Sequence, residues 1–509
     1  MRPAAVVVAA SVVAAVLPWM SGPASAEPQP VTGGGSSFAQ LEIEQWRADV
    51  ARPPYSLKVD YAAAGSTFGR QKFAQGQFDY GVSDIEYQIN DNPKPDKPFV
   101  YVPISAGGLG FMYNLNGTNG KRITNLRLSQ VNVCRAFTEE LIYWDDPGIA
   151  ADNPGAPLPH NPIKRVVRSD GSGTSYVLSE FCMATSPGVW NAFRDYIGTK
   201  LPDAASEELR RGLPTSQWPS GYPSSQTAFA ADGVADTVAN EVTGQNAITY
   251  AEAGFAKIRG FPNAVIRNAG GIYTTPDAEN VTVALGYAKG RDNGTFQLEY
   301  LAPDPRAYFP STYSYALVQT SGLDAGKGET IATFLYYAAC QGQSRAVPLG
   351  YARLSTVLVN LAIGKVSQIP GAPAAPDIGQ CGAPPPPVID PNFKPVPPPE
   401  VTLGVKGTGK VATGKAITGQ AAAGGGAAAA ADPAAAAAAA ADPVAAEEAA
   451  AANQLELESA AGSTEDASAQ PQGISMREGM WFLLLGFALV GLGTMTGGGE
   501  VLRKRRKGS

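Results

Sequence analysis

The composition of the chain changes close to Gly371, and this change limits how much of it can fold around a core. Upstream, short apolar segments alternate with helical patterns. Downstream, Pro384–Pro399 is rich in proline, which favours a stiff and extended backbone. Residues 401–470 are mostly Ala, Gly and Ser with few aromatic side chains, so they cannot bury enough apolar surface to form a core. Of the 509 residues, we therefore expect 27–375 to fold and 376–478 to form a disordered spacer.

The first 26 residues have the pattern of a secretory signal peptide. Arg2 is the only charged residue of this segment, a long apolar stretch follows it, and Ala24–Ala26 provides a small-residue cleavage site. An uncleaved membrane anchor is the alternative interpretation, but Pro18 and Pro23 would interrupt its helix. We expect cleavage after residue 26 and export of the protein.

The C-terminal end has the pattern of a membrane anchor. Residues 479–499 carry no charge and are long enough to cross a hydrocarbon core of about 30 Å. The basic cluster Arg503–Lys507 follows, and such a cluster stays in the cytoplasm. A cell-wall sorting signal is the alternative, but Gln470–Ser475 lacks its LPxTG-type motif. We expect a transmembrane helix at 479–499, a cytoplasmic tail at 500–509 and the body of the protein outside the cytoplasmic membrane.

Composition also excludes several kinds of function. His160 is the single histidine of the chain, so a zinc site made of two or three histidines cannot be built. A Ser-His-Asp triad would have to use the same residue, which lies in a loop flanked by prolines. The net charge of −6 argues against a nucleic-acid-binding surface, and we expect no nucleic acid partner.

The alternation of strand and helix patterns predicts an α/β architecture. The predicted strands are Phe99–Ile104, Leu109–Tyr113, Ala247–Tyr250 and Tyr315–Gln319. The predicted helices are Phe38–Val50, Leu128–Ile142, Ser175–Cys182, Asp232–Glu241 and Gly328–Cys340.

Three Gly-rich segments that contain hydroxyl side chains each precede a helical pattern. They are Thr32–Phe38, Ala64–Gly69 and Arg168–Ser175. A helix N-terminus presents unpaired backbone N–H groups and the positive end of the helix dipole, which together can bind an anion. Ser and Thr before a helix are mostly ordinary N-caps, but three such segments, with an arginine beside one of them, favour an anion-binding site.

In these segments the chain resembles the PstS-like family, the phosphate-binding proteins of bacterial phosphate ABC transporters, over roughly residues 30–375. The matching segments are Gly33–Phe38, Gly65–Thr67, Asp79–Asp84 and Arg168–Ser175, with support from Tyr143–Asp146 and Ala247–Glu252. Arg168–Ser175 matches the family signature without a gap and is the most specific of them.

The resemblance implies a two-lobed periplasmic-binding-protein-like fold with a ligand cleft at the hinge. It places lobe I at residues 28–104 and 309–375 and lobe II at 105–308. The lobes are expected to close on inorganic phosphate.

The resemblance also implies a set of site residues. The implied phosphate-binding residues are Ser37, Phe38, Ser66, Asp84, Arg168, Ser172, Gly173 and Thr174. Asp170 would orient Arg168 and partly balance its charge. Asp84 would accept a proton from HPO₄²⁻ or H₂PO₄⁻ and reject sulfate, which has no proton to donate at neutral pH. The alternative for Asp84 is an ordinary helix N-cap.

The four cysteines indicate two disulfides in an exported chain, although free buried thiols are the alternative. Four cysteines allow three pairings. With the lobes as the resemblance implies them, we expect Cys134–Cys182 in lobe II. We also expect Cys340–Cys381, which would attach the start of the spacer to the C-terminal helical region.

The implied function is extracytoplasmic phosphate binding by a membrane-tethered receptor of a phosphate ABC transporter, with the permease subunits as partners. The alternative is a surface-anchored protein that reuses the fold for sensing, adhesion or structure. We do not expect an enzyme, because Ser172 has no histidine to activate it. No cofactor and no metal are expected.

Overall fold

The computed structural model describes residues 28–219 and 225–389. The predicted signal peptide, transmembrane helix and basic tail lie outside these residues, as does the spacer from residue 390 onward. Across 28–219 and 225–389, no helix is both long enough and apolar enough to cross a membrane.

The described residues form strands and helices that alternate along the chain. The strands are β1 (Val31–Gly35), β2 (Val59–Ala62), β3 (Tyr80–Ser83), β4 (Phe99–Gly110), β5 (Tyr113–Asn114), β6 (Arg127–Leu128), β7 (Lys164–Arg168), β8 (Ser225–Ala228), β9 (Ala247–Thr249), β10 (Ala251–Glu252), β11 (Val265–Arg267), β12 (Tyr273–Thr274), β13 (Lys289–Gly290), β14 (Phe296–Gln297) and β15 (Ser311–Gln319). The α-helices are α1 (Gln40–Val50), α2 (Ser66–Ala74), α3 (Gln130–Phe137), α4 (Pro147–Asp152), α5 (Gly173–Thr185), α6 (Pro187–Lys200), α7 (Glu207–Arg210), α8 (Ala230–Ala239), α9 (Gly254–Ile258), α10 (Ala278–Gly286), α11 (Ala325–Ala339), α12 (Ala346–Leu349) and α13 (Thr356–Val366). Short 3₁₀ helices lie at Pro202–Ala204, Gln341–Arg345 and Ile378–Gln380.

A six-stranded sheet forms the first lobe, in the order β10-β4-β15-β3-β1-β2. Strand β1 pairs in parallel with β2 and β3, whereas β15 runs antiparallel between β3 and β4. Helices α2, α11 and α13 pack against this sheet, and α1 packs against α11 and β2. Because both faces are covered, β4 and β15 are buried along almost their whole length. We call this part the six-stranded lobe.

A four-stranded sheet forms the second lobe, in the order β5-β9-β7-β8. Strand β7 pairs in parallel with β8 and β9, and helix α8 packs on β7 and β9. A three-stranded sheet, β12-β11-β6, and the hairpin β13-β14 complete the sheets of the described chain. We call the part around the four-stranded sheet the four-stranded lobe.

This arrangement is the two-lobed α/β architecture that the sequence predicts. The chain passes from the first sheet to the second between β4 and β5, and it returns to the edge of the first sheet at β10 directly after β9. Helix α10 packs on β4 and β15 of the six-stranded lobe. The residue boundaries of the two lobes stay a prediction.

Two predicted elements differ from the structure. The helix predicted at Leu128–Ile142 is wrong at both ends: Leu128 belongs to β6, and α3 ends at Phe137, two residues before Glu139 takes a left-handed φ of 61°. The strand predicted at Leu109–Tyr113 is divided between the end of β4 and the start of β5, because the chain changes sheets there.

Both predicted disulfides are present. Cys134–Cys182 joins α3 to α5. Cys340–Cys381 holds the chain beyond α13 to the end of α11.

The chain that follows Cys381 lies against the six-stranded lobe. The Pro384 carbonyl accepts a hydrogen bond of 2.8 Å from the backbone N–H of Thr356, which begins α13. The Val388 carbonyl accepts one of 2.9 Å from Arg306 Nη2. The described chain therefore continues as an ordered segment into the proline-rich stretch.

Candidate functional site

The first Gly-rich segment carries β1 into α1 and orients a serine that points to Asp84. Gly35 has φ +138°, and a Cβ atom there would lie 1.9 Å from the Val82 carbonyl oxygen, so only glycine fits. After it, Ser36 Oγ accepts hydrogen bonds from the backbone N–H groups of Phe38 (3.1 Å) and Ala39 (3.3 Å). Its own proton is therefore free for another acceptor, and it is donated to Asp84 Oδ1 at 2.5 Å.

The second Gly-rich segment begins α2 and holds the other side of Asp84. Ser66 Oγ accepts a hydrogen bond of 3.1 Å from the Asp84 backbone N–H and donates one of 3.0 Å to Asp84 Oδ2. The Thr67 backbone N–H, in the same turn, donates to the Gly171 carbonyl at 3.0 Å. The second segment thus contacts the third directly, and this contact joins the two lobes.

The third Gly-rich segment carries β7 into α5. Ser172 is the N-cap of this helix, and its Oγ accepts a hydrogen bond of 3.2 Å from the Ser175 backbone N–H. A Cβ atom on Gly173 would lie 2.5 Å from Ser66 Oγ and 2.6 Å from Asp84 Oδ2. The N-terminus of α5 therefore faces the Asp84 carboxylate at close range, with room for a backbone but not for a side chain.

Asp84 is a buried carboxylate surrounded by hydroxyl groups. Besides Ser36 and Ser66, Ser314 Oγ donates to its Oδ1 at 2.6 Å. Burial raises the pKa of Asp84 above its usual value, and the three hydroxyls and the charge of Arg168 act in the opposite direction. Asp84 is not the N-cap of a helix, because strand β3 ends at Ser83 and no helix begins in the residues that follow it up to β4.

Arg168 and Asp170 form a buried pair at the end of β7. Arg168 Nε donates to Asp170 Oδ1 at 2.8 Å, and Nη2 donates to the second carboxylate oxygen. Asp170 Oδ1 also accepts a hydrogen bond of 2.9 Å from the Ala230 backbone N–H at the start of α8. One carboxylate thus engages two of the guanidinium nitrogens, and the orienting role that the resemblance implies for Asp170 stays a prediction. Arg168 Nη1 is buried and has no hydrogen-bond partner within the described residues.

Ser37 and Phe38 make other contacts. Ser37 Oγ accepts a hydrogen bond of 3.0 Å from the Ala231 backbone N–H and so joins the segment between β1 and α1 to α8 of the opposite lobe. The Phe38 ring is fully buried and meets Tyr351 edge to face at 6.2 Å, which makes its side chain part of the core. Thr174 is buried in the first turn of α5.

The structure thus brings all three Gly-rich segments together around Asp84 and Arg168. Ser66 and Gly173 lie against Asp84. Arg168, Asp170, Ser172 and Thr174 belong to the same Gly-rich segment as Gly173, and Ser37 and Phe38 belong to the first segment beside Ser36. Their individual roles in phosphate binding stay a prediction.

Sequence reasoning missed two residues, Ser36 and Ser314. Ser36 offers a signal, because it stands beside Ser37 in the first Gly-rich segment. Ser314 offers none: it lies in the middle of β15, and only the register that pairs Tyr315 with Ser83 brings it next to Asp84.

The chain was compared with protein families and with known proteins. A family model described as a PBP superfamily domain matches residues 21–341. The phosphate-binding protein PstS of Xylella fastidiosa strain 9a5c is 27% identical over 331 residues, which are 65% of this chain and 82% of that protein. The phosphate-binding protein PstS of Methanocaldococcus jannaschii is 24% identical over 354 residues, 66% of this chain and 85% of that protein. Among solved structures, a phosphate-binding protein from Stenotrophomonas maltophilia matches with a TM-score of 0.47 and 16% identity, over 71% of this chain and all of that one.

The relatives are named as binding proteins, which supports a binding protein rather than an enzyme at the level of the family. The resemblance to PstS phosphate-binding proteins that the sequence predicts is confirmed. Since the family model spans more than half of the 509 residues, this chain belongs to the family of PBP superfamily domains.

Proposed function

We propose that the protein binds inorganic phosphate between its two lobes, outside the cytoplasm. One observation carries this proposal: Arg168 Nη1 is buried without a partner among the described residues, and its charge acts on Asp84, whose carboxylate faces the N-terminus of α5. A buried guanidinium nitrogen without a partner is costly unless a ligand completes it.

The donors of the site suit a tetrahedral anion. The guanidinium of Arg168 presents a planar group of N–H donors, which bind phosphate oxygens well. The first turn of α5 adds backbone N–H groups and the positive end of its dipole. Asp170 already balances the positive charge of Arg168. The dianion HPO₄²⁻ therefore needs the neutral backbone N–H donors of α5 as well as the guanidinium.

Asp84 restricts which anion fits. A carboxylate beside an anion is repulsive unless the anion donates a proton to it. HPO₄²⁻ has a proton to donate and sulfate has none, so sulfate would leave two acceptors facing each other. Phosphate and its structural analogue arsenate are therefore the anions that this site favours.

The site has no arrangement for hydrolysis. The Ser172 hydroxyl accepts from the Ser175 backbone as an N-cap, and the single histidine, His160, is 72% exposed and stacks on Tyr143. A serine nucleophile needs an adjacent base. The site therefore fits holding and releasing an anion.

We further propose that the receptor is exported and tethered. The sequence patterns of residues 1–26 and 479–499 support this, as does the basic cluster after the second of them. The chain beyond Cys381 runs along the six-stranded lobe, so the spacer would leave the receptor from that lobe. A tether of this kind would allow delivery of phosphate to the permease of an ABC transporter.

Titration calorimetry on the full chain tests the binding function. We expect phosphate and arsenate to bind at neutral pH and sulfate to give no measurable heat. In Asp84→Asn the amide can donate to sulfate, so the preference for phosphate over sulfate should fall at least tenfold, about 1.4 kcal/mol. Absence of phosphate binding by the folded wild-type protein would contradict the proposal and would favour a surface protein that reuses the fold.

A further inference from the structure

The Asp84 carboxylate is nearly saturated with hydrogen bonds before any anion arrives. An ionised carboxylate offers about four acceptor positions on its two oxygens. Ser36 and Ser314 occupy Oδ1 at 2.5 and 2.6 Å, and Ser66 occupies one position on Oδ2 at 3.0 Å. One acceptor position remains, and it belongs to Oδ2.

The remaining position points to the place proposed for the anion. A Cβ atom on Gly173 would lie 2.6 Å from Oδ2, so this oxygen faces the N-terminus of α5. Oδ1 faces the other way, towards β15 and the first Gly-rich segment, where the two serines lie. The two oxygens thus differ in role: Oδ1 accepts hydrogen bonds from the protein, and the open position of Oδ2 is available to the ligand.

The surroundings of Ser36 determine that its hydroxyl is the donor in the hydrogen bond to Asp84. Ser36 Oγ already accepts from two backbone N–H groups, so its proton can go only to Asp84. Ser36 therefore acts as a donor, Ser314 Oγ donates to the same oxygen, and a donor stabilises the ionised form of a carboxylate. A proton on the open position of Oδ2 would instead let Asp84 donate to the ligand, and it would weaken the bonds from the two serines because a neutral carboxyl is a poorer acceptor than a carboxylate.

We propose that Ser314 and Ser36 determine the anion specificity of the site, because their hydroxyls hold Asp84 in the form that accepts a proton and cannot donate one. This proposal rests on the phosphate-binding function proposed above. In the ionised form Asp84 admits HPO₄²⁻ and excludes sulfate; in the protonated form it would donate to sulfate and admit it. Neither serine needs to touch the anion, so both are positioning residues.

Other ionisable groups surround Asp84 and have to be separated from its own titration. The charge of Arg168 acts on Asp84. Tyr61 and Tyr351 also lie near Asp84, but burial raises the pKa of both phenols, so they stay neutral over the pH range of the titration. The cavity beside Asp84 is also lined by Glu86, Glu180 and Arg291, and burial raises the pKa of Glu180. A control variant that keeps all these groups removes their contribution from the comparison.

Calorimetric titration of the full chain with sulfate, from about pH 4 to about pH 8, tests the proposal. Sulfate carries no proton in this range, so the pH dependence of its affinity belongs to the protein. We expect sulfate binding only below the pKa of Asp84 in the wild type. In Ser314→Ala the midpoint should move up by about one pH unit, because one bond to a charged group is lost.

Ser311→Ala is the matched control. Ser311 is also buried in β15, but its hydroxyl donates to the Tyr308 carbonyl at 2.7 Å, so the midpoint should stay at the wild-type value. Ser314→Thr keeps the hydroxyl and should restore the wild-type profile.

Ser36→Ala removes the other donor to Oδ1 and should move the midpoint in the same direction, which provides a second test if Ser314→Ala does not fold. The proposal is overturned if folded variants still bind phosphate and keep the wild-type sulfate profile. If the wild type binds no phosphate at any pH, the binding function itself fails and this proposal fails with it.

Discussion

Single residues in the site are held in place by groups that leave one hydrogen-bonding position open. Asp170 takes two donors of the Arg168 guanidinium and leaves Nη1 unpaired among the described residues. Three serines take most of the acceptors of Asp84 and leave one on Oδ2. Since the three serines belong to different elements of the fold, the open positions are fixed before the anion binds, which lowers the entropic cost of binding.

Gly173→Ala should weaken phosphate binding strongly while the protein still folds. The added methyl group would lie 2.6 Å from Asp84 Oδ2 and 2.5 Å from Ser66 Oγ, where the anion and the closed lobes need the space. We expect at least a tenfold loss of affinity, about 1.4 kcal/mol, by calorimetry. Gly198→Ala is the matched control, because it lies in α6 with nothing within 4 Å of the new methyl group. Equal affinity of both variants would contradict the placement of the site at α5.

Glu42→Gln should change how stability depends on pH. Glu42 is fully buried, and burial raises its pKa well above the usual value; the Glu42 charge also raises the pKa of the buried Glu252. The folded state therefore holds the Glu42 proton to a higher pH than the unfolded chain, which releases it above about pH 4.5 and is favoured by that release as the pH rises.

Relative to wild type, the glutamine variant should gain unfolding free energy as the pH rises from about 4 to about 8, by on the order of 1–3 kcal/mol. Urea denaturation at several pH values measures this difference. A constant difference across the range would show that Glu42 is ionised in the folded protein.

At the level of helices and strands, features with a local sequence signal could be predicted, and features that depend on distant pairing could not. Each Gly-rich segment is contiguous and precedes a helix, so local signals were enough to find it. Ser314 was missed because its place depends on the register of β15 against β3, which pairs residues more than 200 positions apart. The end of α3 was also missed, since the left-handed φ of Glu139 has no signal such as glycine or proline in the sequence.

Removing the Cys340–Cys381 disulfide should destabilise the protein without weakening phosphate binding. The bond closes a loop across a separation of 41 residues, and such loops contribute about 3–4 kcal/mol in the chain-entropy model. The double variant Cys340→Ser, Cys381→Ser should lose unfolding free energy of this order, measured by denaturant titration. Its phosphate affinity should stay within about twofold of wild type. A large loss of affinity would mean that the segment after Cys381 shapes the cleft.

At the scale of the whole molecule, two lobes meet at the site through contacts that do not involve the ligand. Ser37 accepts from Ala231 on one side, and Thr67 donates to Gly171 on the other. Gln40 Nε2 also donates to Asp232 Oδ2 at 2.6 Å between α1 and α8. The described structure is therefore closed, and release of an anion would require the two sheets to separate about the chain crossings.

Shortening the spacer should leave binding unchanged and alter delivery. We place no site residue after residue 375, and if the spacer is the disordered coil that the sequence predicts, about 90 residues span roughly 50 Å. A protein with half of residues 390–478 deleted should therefore bind phosphate with wild-type affinity in calorimetry. With the tethering and delivery to a permease proposed above, cells should then take up phosphate more slowly, because the receptor has less reach. A large loss of affinity on deletion would place part of the binding domain in the spacer.

The central claim is that an anion lies between Arg168 and Asp84 at the N-terminus of α5. A crystal structure of the protein with arsenate tests it most directly, because arsenic can be located by its anomalous scattering. We expect one strong arsenic peak, with arsenate oxygens within hydrogen-bond distance of Arg168 Nη1 and Asp84 Oδ2. An arsenic peak elsewhere, with Arg168 Nη1 still unpaired, would contradict it.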